Sequence, residues 1–126
     1  RPPGYPFMKD IAAFTKIYVA AQPVDFRKQA SGLSVVVKEV LGLAPFEAKS
    51  LFVFTNKRKS ALRMLYWDLT GFATWSKVLE ESKFKWPKAK GDPKHMLSSR
   101  QLKWLLQGVD IERIKMHDPV NFDRTF

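Results

Sequence analysis

A chain of 126 residues, 45% of them hydrophobic, holds apolar material for one core and one domain, and the absence of cysteine excludes both a disulfide framework and a thiolate metal site. Its formal net charge of +10 is unevenly spread, because Lys57 to Lys103 carries 12 basic residues against 4 acidic ones and the rest of the chain carries 10 against 8. No apolar run approaches the ~18 residues of a membrane span, so a cytoplasmic protein is expected whose basic surface attracts polyanions, nucleic acid foremost.

Residues 1–13 are expected to form a flexible leader, since Arg1 to Phe7 contains three prolines and a glycine. A folded domain is expected over residues 14–111, and a C-terminal tail over residues 112–126. Phe14 to Ala21 reads as a β-strand closed by a Gln22-Pro23 turn. Asp25 stands where it can N-cap a helix that runs through Arg27-Lys28 toward Leu41. Leu33, Val36, Val37 and Val40 fall at i, i+3, i+4 and i+7, and Gly42 is placed to end that helix; because valine is a weak helix former, a strand over Leu33 to Val37 competes.

After Ala44-Pro45 a β-meander is predicted. Leu51 to Thr55 and Leu62 to Trp67 are dense in aliphatic and aromatic residues, and Asn-Lys-Arg-Lys-Ser between them makes a hairpin with a cationic tip. Asp68 to Gly71 is a second turn and Phe72 to Leu79 a third strand. Lys83-Phe84-Lys85-Trp86 alternates charge and ring, which reads as a further strand with both lysines on one face, ended by Pro87. Lys88 to Lys94 is a basic loop. Ser98 and Gln101 form a capping box, Leu102, Leu105, Leu106 and Val109 the apolar stripe of the helix it opens, and Gly108 its stop. A short strand at Ile114 to Met116 is expected before the tail frays.

Catalytic chemistry has little to stand on. The carboxylates Asp25, Asp68, Glu80, Glu81, Asp110 and Glu112 each have a role in a cap or turn, and no spacing among them singles out a metal site. His95 and His117 are isolated, no serine sits in a glycine-framed elbow, and no glycine motif cradles phosphate. No catalytic residue, metal or cofactor is assigned. A binding surface remains: Lys57, Arg58 and Lys59 at the hairpin tip suit phosphate contact, with Arg63, Lys83, Lys85, Lys88 and Lys90 extending the patch, and Arg100 and Lys103 on the last helix. Trp75, Trp86 and Phe72 offer either a stacking or partner surface or simply core packing.

Six blocks in order carry a resemblance: Ile17-Tyr18-Val19-Ala20; Asp25-Phe26-Arg27-Lys28; Leu51-Phe52-Val53-Phe54-x-Asn56-Lys57-Arg58; Leu65-Tyr66-Trp67-Asp68-x-x-Gly71-Phe72; Lys77-x-Leu79-Glu80 with Phe84-x-Trp86-Pro87; and Leu102-x-x-Leu105-Leu106-x-Gly108-Val109-Asp110. Together they resemble the TnpB, or Orf2-like, accessory proteins of bacterial insertion sequences of family 66. The chain departs from that pattern at Gln29 to Ser31 and at Glu81-Ser82, where the family more often has a turn glycine. The resemblance implies a protein needed for transposition beside a separate, larger transposase, and it marks Asp25, Arg27 and Lys28 as a family motif.

The expected architecture is a single α+β domain, a mostly antiparallel sheet with two amphipathic helices packed on one face. The expected function is non-enzymatic: DNA recognition at the element ends through the basic hairpin, in aid of the transposase, or alternatively docking on the transposase and other proteins of the element with incidental DNA contact. No membrane and no small-molecule substrate are expected as partners.

Overall fold

The apolar runs pair into one five-stranded sheet in a computed structural model that describes residues 10–117. The strands are β1 (Lys16–Ala20), β2 (Ser50–Thr55), β3 (Ala61–Asp68), β4 (Gly71–Val78) and β5 (Lys94–Leu97), in the order β4-β3-β2-β1-β5. β2, β3 and β4 form the predicted meander, with antiparallel registers such as Phe52 opposite Leu65 and Met64 opposite Trp75. β1 lies parallel to β2 because the helix α1 (Ala30–Glu39) carries the chain back across the sheet between them. β5 pairs antiparallel with β1 and closes the other side of the sheet. Two further helices follow, α2 (Ser99–Leu106) and α3 (Ile111–His117).

The α+β class and mostly antiparallel sheet are as expected, but the helices do not share a face. Leu33, Val37 and Leu41 from α1 and its C-terminal end pack on Tyr18, Ala20, Phe52, Phe54 and Leu65. Leu102, Leu105 and Ile111, from α2 and α3, pack on Ile17, Val19, Leu51, Val53, Leu62, Met64 and Tyr66. Successive residues of a strand point to opposite faces, so these two sets alternate along β1 and β2, and the sheet is covered on both sides. Every residue of β2 is consequently buried.

Local signals set the helix ends. Gly42 at φ +68° and Gly108 at φ +85° occupy the left-handed region where side chains are strained, and both follow the last turn of a helix. The Leu43 N–H reaches back to the Val37 carbonyl at 3.0 Å, and the Val109 N–H to Trp104 at 2.9 Å. At the start of α2, the Gln101 N–H donates to Ser98 Oγ at 3.0 Å while the Ser98 N–H donates to Gln101 Oε1 at 2.9 Å, the predicted capping box.

Three expectations are corrected. Asp25 does not cap α1, whose N-cap is Gln29, because its carboxylate is already engaged by Arg27. Lys83 to Trp86 is irregular chain, although the burial alternates as expected, with Phe84 and Trp86 inside and both lysines outside. Ile114 to Met116 lies within α3 instead of a strand, since Asp110 Oδ1 accepts from the Glu112 N–H at 3.1 Å and the Arg113 N–H at 3.4 Å, satisfying donors that a helix start leaves open. Within the expected leader, Ile11–Ala13 makes a single 3-10 turn; residues 1–9 and 118–126, holding the rest of the leader and the end of the tail, lie outside the described residues.

Candidate nucleic-acid interface

Parallel pairing of β1 and β2 brings their carboxyl ends to the same end of the sheet. The chain leaving β1 is fastened there by the Val24 N–H, which donates to the Thr55 carbonyl at 2.9 Å. The Asp25 to Lys28 turn therefore lies beside the β2–β3 hairpin tip. Pro23, Val24, Asp25, Phe26 and Arg27 on one side and Asn56, Lys57 and Arg58 on the other line a cleft of about 600 Å³. Two motifs that are well apart in sequence thus form one site.

The hairpin tip is held from within. Asn56 Oδ1 accepts from the Ser60 and Ala61 N–H groups at 3.0 and 3.2 Å, its Nδ2 donates to Ser60 Oγ at 3.1 Å, and the Lys59 N–H returns to the Asn56 carbonyl at 3.0 Å. Lys57, Arg58 and Lys59 are left exposed. Behind the tip, the Leu79 and Phe84 N–H groups each donate at 2.8 Å, to Ser60 and Lys59 carbonyls respectively, which brings the Lys83 and Lys85 segment to the same end of the sheet.

Across the cleft, Arg27 is presented on a turn. Asp25 Oδ1 accepts from the Arg27 N–H at 2.9 Å, and the carboxylate takes the Arg27 Nε and Nη2 edge, the shortest contact being 2.8 Å. The Arg27 side chain is still 92% exposed. A guanidinium gripped along one edge keeps its other donors for an incoming anion.

The Arg27 side chain, and then its backbone N–H, hold the Asp25 carboxyl down from the ordinary 3.8 to about 2. Because the folded-state value is depressed, the contact contributes fully above the ordinary value and is lost as pH falls through about 2. The Asp25 carboxyl carbon is expected to titrate near that low value by NMR and to move back up in Arg27→Gln. An Asp25 midpoint unchanged by Arg27→Gln would show that the pair does not form in solution.

Other predicted site residues have different surroundings. Arg63 lies on β3, where Nε donates to Ser76 Oγ and Nη1 to the Phe26 and Lys28 carbonyls, each at 3.1 Å, while its guanidinium stands 4.5 Å over the Phe26 ring. It fastens the Asp25 to Lys28 turn to the sheet. The Lys88 N–H donates to Glu112 at 3.3 Å and the Lys90 ammonium lies 3.8 Å from the same carboxylate, so both belong to the junction with α3. Arg100 and Lys103 are exposed on α2, across the sheet from α1.

Trp86 is 8% exposed within the core and donates from Nε1 to the Ala20 carbonyl at 2.8 Å, which removes it from any stacking surface. Trp75 is half-buried against the α2 face. Phe72 joins Phe46 and Trp67 in an aromatic cluster at the end of the sheet opposite the cleft, with ring centroids 5.0 to 5.5 Å apart. Sequence reasoning missed Phe46, which is 61% exposed and lies in the loop before β2. Its signal was a lone aromatic after Pro45 in the connection between α1 and β2.

Among the described residues, no group of three or more His, Asp or Glu side chains is placed to hold a metal ion, and no helix is long and apolar enough to cross a membrane.

Residues 15–116 match the protein family described as IS66 Orf2 like protein. An uncharacterized protein of Sinorhizobium fredii, y4jC, is 40% identical over 100 residues, covering 79% of this chain and 84% of that protein. A second from the same organism, y4hO, is 34% identical over 95 residues, covering 75% and 81%. No solved structure matches the chain significantly.

Proposed function

Because the chain belongs to the IS66 Orf2-like family of insertion-sequence accessory proteins, we propose that it is a non-catalytic DNA-binding subunit that serves transposition by holding element DNA for the transposase. One observation carries this reading: the cationic hairpin and the Arg27 turn converge on a single cleft, with exposed Lys57, Arg58 and Arg27 around it. Cations so grouped engage phosphates and release counterions, which makes affinity steeply salt-dependent. Fluorescence anisotropy against the element's terminal-repeat duplex and a scrambled duplex, each over a salt series, tests it. Tighter binding to the terminal repeat with a steep salt slope is expected; absence of binding to the duplexes and to their separated strands, or affinity indifferent to salt, overturns it.

A second reading, docking on the transposase, is favoured by the Phe46, Trp67 and Phe72 cluster with Leu69, which is 82% exposed beside it. Aromatic clusters of this kind anchor protein interfaces, and complexes they hold survive high salt. The two surfaces lie at opposite ends of the sheet, so one molecule has room for both partners.

A further inference from the structure

We propose that the cleft seats an unpaired nucleotide, so that the protein holds single-stranded or frayed DNA in preference to continuous duplex. This deepens the DNA-binding reading and rests on it. A duplex backbone asks only for a ridge of cations. Here the cations border an open recess of about 600 Å³.

The lining is mixed in a way that fits a nucleotide better than a bare anion. Pro23, Val24 and Phe26 give the recess apolar surface against which a base can lie. Phe26 is held in place by the Arg63 guanidinium over its ring and needs little further ordering on binding. Arg27, Lys57 and Arg58 offer charge to the adjoining phosphates. The Asp25 carboxylate also lines the recess, where its charge disfavours an isolated phosphate.

A second recess of about 330 Å³ shares Phe26 and Arg27 with the first and continues past Lys28 to Arg63 and Thr74. Two recesses separated by one aromatic and one arginine make a track for consecutive nucleotides, and a strand with its bases splayed follows such a track where paired bases cannot.

The test compares wild-type protein binding to a short single strand carrying 2-aminopurine, an abasic oligonucleotide of equal length and charge, and the corresponding duplex. The single strand is expected to bind more tightly than the duplex and on the order of tenfold more tightly than the abasic strand, with a change in 2-aminopurine fluorescence, because base stacking contributes beyond charge. Phe26→Leu, which keeps apolar bulk beneath Arg63, is expected to abolish that preference, with thermal melting to confirm folding. Equal affinity for the single and abasic strands, with duplex binding retained, overturns the nucleotide recess and leaves the DNA reading standing. Failure to bind any of the three overturns both. The wild-type comparison decides the matter even where Phe26→Leu fails to fold.

Discussion

Replacing Lys57 and Arg58 by alanine and Lys59 by glycine is expected to weaken duplex binding roughly a hundredfold near physiological salt and to lower the slope of log affinity against log salt by about 2.7. Each cation withdrawn from a phosphate leaves about 0.9 of a counterion condensed on B-DNA, so the removal of three side-chain charges sets both numbers. The choice at residue 59 follows from its backbone: Lys59 has φ +60°, a conformation that alanine adopts only with strain and glycine without it. The hairpin keeps its internal bonds, because they are made by Asn56, Ser60 and backbone groups. A folded triple variant with wild-type slope would move the DNA-binding surface elsewhere, to Arg100 and Lys103 first.

The largest effect on stability is expected from Trp86→Ala, at about 3–5 kcal/mol by urea unfolding. The indole packs within the α2-side core and satisfies the Ala20 carbonyl at the end of β1, so truncation leaves both a cavity and an unpaired acceptor. Trp86→Phe keeps most of the volume and is expected to cost less, with DNA affinity unchanged. Loss of DNA binding in a stable Trp86→Phe protein would restore this ring to the binding surface.

The hairpin and the buried indole differ in how far the sequence foretells their surroundings. The β2–β3–β4 meander is legible, because each strand is apolar and each turn is specified by adjacent residues. So is α2, whose capping box lies within four consecutive residues, and so are the glycine ends at Gly42 and Gly108. β5 is not: Lys94–Leu97 mixes charge with apolar residues after a proline, and its extended state comes from pairing with β1 far upstream. Alternation at Lys83 to Trp86 reports burial correctly but not a ladder, since apolar side chains can point inward without strand partners.

Placing the helices on opposite faces was within reach of the sequence. The unbroken Leu51-Phe52-Val53-Phe54 run, instead of alternation, marks a strand buried on both sides. Of the candidate interface, the cationic tip was readable locally, whereas Asp25, read as a helix cap, pairs with Arg27 instead. The meeting of tip and turn was not readable, because it depends on the parallel register of β1 and β2, which no local pattern encodes.

That register also sets an order in time. The β2–β3 hairpin closes a short loop and can form within microseconds, while parallel pairing must wait for the crossover through α1 and the entropy of closing it. The cationic tip is therefore expected to form before the cleft, whose two walls meet only once β1 and β2 have paired. A ligand that needs both walls binds the native chain alone, so the proposed DNA strand at a hundred times its Kd is expected to add about 2.7 kcal/mol to the free energy of unfolding.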